Sequence, residues 1–195
     1  MSGRGTAEPI AALSILDATL REDQPPSMST LTLTIRPARP ADAAAITAVH
    51  DAAWREAYRG VIPGAHLERM VQRRGPLWWK RAITRGSLVL VLDTGDRIAG
   101  YASMGRNRAA AVRAEGEIFE LYLDPIHQGL GFGSRLFGAA KSELAERGLA
   151  GLVVWALADN DRACAFYGRR GGRIAARALE HFGTDLRERV AYVWP

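Results

Sequence analysis

The sequence has one cysteine, two lysines and no long apolar run. A lone Cys164 excludes an internal disulfide and fits a reducing compartment, so a cytoplasmic location is expected. No histidine lies near it along the chain, which favours a small packing residue over a nucleophile. No segment approaches the roughly 18 apolar residues that cross a bilayer, so neither a spanning helix nor a membrane partner is expected. Histidine is also sparse, and His50, His66, His127 and His181 show no ligand spacing, so no metal is expected. Internal repeats and low-complexity tracts are absent.

With Lys80 and Lys141 the only lysines, the net charge of +5 and pI of about 9.9 come from arginine. The arginines are scattered, with doublets only at Arg73-Arg74 and Arg169-Arg170. None forms a basic run interleaved with aromatics, so nucleic acid is not the expected partner, although the pI raises that class of function. A basic surface suits an anionic ligand through long-range attraction; a solvated arginine-rich surface explains it equally well.

The 195 residues imply one domain that buries around 70% of its unfolded surface. A hydrophobic content of 48% with 24% charged residues is ordinary for a globular protein. Residues 1–30 read as a tail, rich in Gly and Pro. Their one apolar patch, Ile10–Leu16, is broken by Asp17 and lacks a cleavage site, so no signal peptide is expected. Pro25-Pro26-Ser27 reads as a linker, and Met28 is a candidate natural start.

A single α/β domain is expected over residues 31–195. Leu31–Ile35 alternates like a strand, and Pro40 and Asp42 open a helix whose apolar face is Ile46, Val49, Ala53 and Trp54. A second helical segment runs from about His66 to Arg85, its register interrupted at Gly75-Pro76. Leu88–Leu92 and Ile98–Ser103 flank a hairpin turn, and a strand follows at Glu117–Leu123. Next come a helix carrying Leu136, Phe137, Ala140 and Leu144, a strand at 152–157, a short helix at 161–169, and strands near 173–181 and 187–194. The order is β-α-α-β-β-β-α-β-α-β-β. By themselves these residues specify a mixed α/β sheet.

The segment Gln128-Gly129-Leu130-Gly131-Phe132-Gly133-Ser134 falls between a strand and a helix. Small residues at such a turn let backbone N–H groups converge on an anion, aided by the helix dipole, which is how a pyrophosphate is held. A Rossmann turn would need a third glycine that is missing here, and a Walker loop a lysine before Ser134. Hydride transfer and ATP hydrolysis are thereby excluded.

Downstream, Leu152–Leu157 is followed by Asn160, then Ala163-Cys164-Ala165-Phe166-Tyr167, then Gly171-Gly172. With Leu121-Tyr122-Leu123-Asp124-Pro125 and the glycine loop, this array resembles the GNAT superfamily of acetyl-CoA-dependent N-acetyltransferases over roughly Leu31 to Pro195. Gly172-Arg173 stands where that family usually has Gly-Phe, which predicts looser packing after the last helix.

The resemblance implies the GNAT fold, a mixed and mostly antiparallel central sheet flanked by helices, with acetyl-CoA as co-substrate and no metal. It assigns the pyrophosphate to Gln128, Gly129, Leu130, Gly131, Phe132, Gly133 and Ser134. The cofactor's amide arm goes to backbone groups of Leu121, Tyr122 and Leu123, and to Asn160, which is equally a helix cap. Leu121 N–H is implied to polarise the thioester carbonyl. Tyr167 is implied to protonate the leaving thiolate, a phenol near pKa 10 matching a thiolate of similar basicity. Trp54 and Tyr58, with the turn 59–63, resemble the acceptor side.

Acyl transfer also needs a base, because an alkylammonium has a pKa near 10. The candidates are Glu120, Glu117 or neither; three residues apart, the two glutamates face opposite sides of a regular strand, unless a bulge intervenes. The function expected is direct acetyl transfer to an amine on a small molecule, a protein N-terminus or a lysine, by a monomer or homodimer. The alternative is a non-catalytic acyl-CoA-binding or regulatory module on the same fold.

Overall fold

The computed structural model describes residues 33–182 and 185–195. The expectations for residues 1–30, and for a start at Met28, lie outside the described residues. The remainder belongs to a compact unit spanning Leu31–Pro195.

Strand β1 (Thr34–Pro37) leads through a 3-10 turn at Pro40–Asp42 into helix α1 (Ala43–Tyr58). Asp42 bonds the Arg39 backbone N–H at 2.7 Å and Arg36 at 2.8 and 3.0 Å, tying strand to helix start. That arginine pairing holds the Asp42 carboxyl below the usual carboxylate range. Helices α2 (Gly64–Gln72) and α3 (Pro76–Thr84) follow, where one helical segment was expected. The break has a simple cause. Pro76 has no N–H to donate and takes the first turn of α3, while Gly75 before it is extended, at ψ 177°.

Strands β2 (Leu88–Asp93), β3 (Ile98–Arg106) and β4 (Gly116–Leu123) form an antiparallel meander. Helix α4 (Phe132–Glu146), strand β5 (Leu152–Leu157), helix α5 (Asp161–Arg169) and strands β6 (Arg173–Phe182) and β7 (Asp185–Trp194) complete the chain. The seven strands lie in the order β1-β2-β3-β4-β5-β7-β6, every pair antiparallel except β4–β5. This is the mixed, mostly antiparallel sheet that was expected.

Apolar side chains divide between the two faces. Leu136, Phe137, Ala140 and Leu144 of α4 pack with Ile118, Leu123, Tyr167 and Trp194 on one face. Ile46 and Val49 of α1 pack with Trp79, Val91 and Tyr101 on the other. The packing after α5 is not loose: a Cβ on Gly172 would meet the Trp194 ring at 2.6 Å. Trp194 fills the space left by Arg173, which is exposed, and its Nε1 donates to Arg170 O at 2.8 Å.

Two features of β4 position the chemistry. Its parallel ladder with β5 covers only Gly116–Leu152, Glu117–Val153 and Ile118–Val154, so residues 119–123 have no strand beside them on that edge. Opposite β3, the register slips by one: Ile118 faces Met104 and Glu120 faces Ser103, leaving Phe119 as an extra residue. That bulge turns the alternation by one position.

Candidate active site

The bulge decides where the two glutamates point. Ile118 and Leu121 join the α4 cluster, whereas Glu120 bonds Tyr101 on the α1–α3 face. Alternation on either side of Phe119 then puts Glu117 and Glu120 on the same face, not opposite ones. Their partners differ. Glu117 is engaged by the Arg108 backbone N–H and guanidinium, both at 2.8 Å, closing the loop after β3. Glu120 accepts from Arg74, from Tyr101 Oη at 3.2 Å and from Ser103 Oγ at 3.3 Å.

Around Glu120 lies an aromatic wall. Tyr58 and Tyr122 share a hydroxyl hydrogen bond of 3.0 Å, and the Trp54 ring lies 5.1 Å from Tyr58 and 6.2 Å from Tyr122. Burial pushes the Tyr58, Tyr101 and Tyr122 hydroxyls above the ordinary phenol range, so all three are neutral donors. Burial likewise lowers His50, which is fully enclosed, with Asp51 partly offsetting the effect.

The free edge of β4 can be read from one bond. Asp124 N–H donates to Ala99 O, the residue opposite it, at 2.9 Å. In an antiparallel ladder alternate pairs exchange hydrogen bonds, so Tyr122 and Glu120 turn their main-chain groups toward β3. Leu121 and Leu123 therefore turn theirs toward the gap between β4 and β5. Leu123 O there takes Gln128 Nε2 at 3.4 Å.

At the end of the gap stands the glycine loop. Gly129 and Gly131 have φ of 81° and 80°, where a side chain would be strained, and open space lies where their Cβ atoms would be. The five N–H groups of residues 129–133 find no acceptor among the described residues; the first bonded ones are Ser134 and Arg135, both to Gly131 O. α4 has no capping side chain and no acidic residue in its first turn. Such a start is an anion cradle. The composition of the loop fits a diphosphate, and two arginines reinforce it: Arg162 bonds Gln128 and Arg170 bonds Ser134. Arg170 also stacks over Phe166, 3.7 Å from the ring centre.

Tyr167 lies on the wall of α5 that faces this region, packed against Phe137, Phe166, Tyr192 and Trp194. Its hydroxyl does not sit near pKa 10 as expected: burial pushes it well up, with Tyr58 and Cys164 adding and Arg170 opposing. The same desolvation would raise a thiolate formed beside it, so donor and acceptor stay comparable. Asn160 caps α5, its Oδ1 accepting from Ala163 N–H at 3.1 Å. Cys164 Sγ packs onto Leu157 O at 3.5 Å, in keeping with a packing role.

Sequence reasoning placed the loop, both glutamates and Tyr167 but passed over Arg74, Arg162 and Arg170. The signal was present in part: Arg74 and Arg170 each belong to one of the chain's two arginine doublets.

The profile of the Acetyltransferase (GNAT) family matches residues 43–172, two thirds of the chain and all the elements just described. The chain belongs to the GNAT acetyltransferase family. Like the family at large, it is an acetyl-CoA-dependent N-acetyltransferase. It is 28% identical over 163 residues to the uncharacterized N-acetyltransferase YuaI of Bacillus subtilis, covering 84% of this chain and 93% of that one. The fold is similar to that of the PaiA N-acetyltransferase of Thermoplasma acidophilum in complex with coenzyme A (TM-score 0.63, 17% identity, 81% and 98% of the two chains). It is also similar to yncA of Salmonella typhimurium, a putative acetyltransferase solved with acetyl-CoA (TM-score 0.60, 25% identity, 83% and 92%). Among the described residues no three His, Cys, Asp or Glu side chains gather as metal ligands, and no helix is long and apolar enough to cross a membrane.

Proposed function

We propose that residues 31–195 act as one catalytic domain that passes the acetyl group of acetyl-CoA directly to an amine, within a ternary complex and with no acyl-enzyme. The observation that carries this is the row of five unclaimed N–H groups at residues 129–133, beside a strand edge whose main chain is also free. Gln128, Gly129, Leu130, Gly131, Phe132, Gly133 and Ser134 hold the pyrophosphate, mostly by main chain. Leu121, Tyr122 and Leu123 present the strand edge to the amide arm, with Leu121 N–H directed at the thioester oxygen. The Asn160 side-chain amide nitrogen remains available for the same arm while its oxygen caps α5.

Glu120 takes the proton from the amine, Trp54 and Tyr58 wall the acceptor, and Tyr167 supplies a proton to the departing sulfur. Both are needed: the ammonium must lose a proton before its nitrogen attacks, and a free thiolate is a poor leaving group. Glu117 serves the Arg108 loop rather than the reaction. A monomer suffices for all of these contacts, and a reducing cytoplasm suits the free Cys164.

Tyr167→Phe keeps the packed ring and removes the donor. The expected result is a kcat about 10²-fold lower, the range of one general acid, with acetyl-CoA affinity nearly unchanged. Steady-state kinetics beside calorimetry checks it; full turnover by the variant would return Tyr167 to a packing role.

The ion pair on Glu120 is what favours the alternative, a module that binds acyl-CoA without reacting. A panel of amines incubated with acetyl-CoA, read by free thiol, separates the two. Amine-dependent thiol release is expected; acetyl-CoA binding with no release across the panel would leave only the binding module.

A further inference from the structure

The acceptor side of the cleft is closed by an ion pair, which is a poor complement for a simple amine. Arg74 sits in the linker between α2 and α3 and donates to Glu120 Oε1. It is the more exposed partner, its side chain 36% accessible against 7% for Glu120, so it covers the carboxylate. Tyr101 and Ser103 hold the other oxygen from within the sheet. The Arg74 guanidinium also lies over Trp78, 4.8 Å from the ring centre.

An ammonium reaching Glu120 has to take the place of Arg74. A plain amine would then leave the guanidinium beside an indole ring with no anion. Breaking a partly buried pair by replacing one partner is costly, because the other charge is left uncompensated. An acceptor that brings its own carboxylate removes that penalty. Buried polar atoms on this face also lack partners: His50 Nε2, Trp54 Nε1 and Trp79 Nε1. His50 stacks on Trp54 at 5.0 Å, and Trp79 packs edge-on to Tyr101 at 4.9 Å, so the unpaired atoms gather around the Glu120 pocket. A polar occupant is indicated there, beyond the aromatic wall.

Resting on the transferase reading of this site, we propose that the acceptor is a zwitterion, a free α-amino acid or close analogue. Its ammonium replaces Arg74 on Glu120, and its carboxylate replaces Glu120 on Arg74. One ion pair becomes two, each a charge-assisted hydrogen bond. The two groups of an α-amino acid hang from one carbon, so their receptors must be neighbours, as Glu120 and Arg74 are. In the transfer Glu120 accepts a proton from the ammonium, and the nitrogen forms its bond to the acetyl carbon. The carbon–sulfur bond breaks, the sulfur takes a proton from Tyr167, and an N-acetyl amino acid and free thiol result. A protein N-terminus does not meet the requirement, since its neighbouring carboxyl is already an amide.

The test uses the full chain with acetyl-CoA and three acceptor sets: the twenty common L-amino acids, the amine lacking the carboxylate of each, and the matching carboxamide. The expected preference for the amino acid over its decarboxylated amine is at least about 10²-fold in kcat/KM, because a site built for a polar group rejects analogues lacking it. Arg74→Ala should collapse that ratio toward one by raising KM for the amino acid with little loss of kcat, and Arg74→Lys should restore part of it. Acetyl-CoA calorimetry on both variants verifies that they are folded. Equal or better turnover of the decarboxylated amines or carboxamides, or an unchanged ratio in Arg74→Ala, overturns the zwitterionic acceptor and leaves the transferase standing. No thiol release with any acceptor, by a protein that binds acetyl-CoA, overturns both.

Discussion

Glu120→Gln lowers kcat/KM by about 10³-fold near neutral pH, within the 10²–10⁴ range of a positioned base, and by much less above pH 9. The pH dependence follows from the acceptor. At pH 7 an alkylammonium of pKa near 10 is protonated in all but about one molecule in a thousand. A base is then indispensable. As the pH rises the neutral amine supplies itself, and the deficit of the variant shrinks. The amide keeps the shape of the carboxylate and can still accept from Tyr101 and Ser103, so folding should persist while Arg74 loses its anion. A pH profile of wild type and variant with one good acceptor is the measurement. Parallel profiles at every pH would mean that Glu120 is needed for structure, and that the proton leaves by another route.

Gly131→Asp is expected to weaken acetyl-CoA binding by at least about 10²-fold, and to do so without unfolding the protein. Two independent effects add. The position has φ 80°, which costs a side chain of the order of 1 kcal/mol, though Asp tolerates the left-handed region better than most residues. The larger effect is chemical: the new carboxylate lies at the first turn of α4 and competes for the N–H groups of residues 129–133. An aspartate is a good helix cap, so the same change that excludes the ligand's phosphates stabilises the helix. Calorimetry with acetyl-CoA beside a thermal melt reads the two separately. A melting temperature held or raised with affinity lost is the expected pair; unchanged affinity would move the pyrophosphate elsewhere.

Much of the sheet was legible because its signals are local. Alternation in Leu88–Leu92, the continuous apolar run Leu152–Leu157 and the glycines at 129–133 each announce an element without help from its neighbours. The split of the second helix was half visible, since Pro76 forbids an unbroken helix, yet the choice between a kink and two helices depends on packing. The bulge at Phe119 was not visible. It exists because Ser103 and Met104 on another strand oppose Glu120 and Ile118, a pairing that no periodicity within β4 encodes. The facing of both glutamates hung on that one residue. Arg74 was illegible for a related reason: 46 positions separate it from Glu120, and only the fold of α2 and α3 brings them together. The compensation of Arg173 by Trp194 is likewise a long-range event, at the other end of the last hairpin.

The short seam between β4 and β5 has a consequence for the protein as a mechanical object. Three parallel residue pairs join a four-stranded half, β1 to β4, to a three-stranded half, β5, β7 and β6. Past Ile118 and Val154 the halves diverge, and peptide groups of β4 face the opening. The amide arm of acetyl-CoA lies along that edge as a missing strand would, so the ligand completes the sheet as well as reacting in it. Ligand and fold are then thermodynamically linked: at a hundred times its Kd, acetyl-CoA adds about 2.7 kcal/mol to the stability of the whole domain. Amide hydrogens of Leu121 and Leu123 become the natural reporters of occupancy, exchanging with solvent in the free protein and protected once the edge is covered.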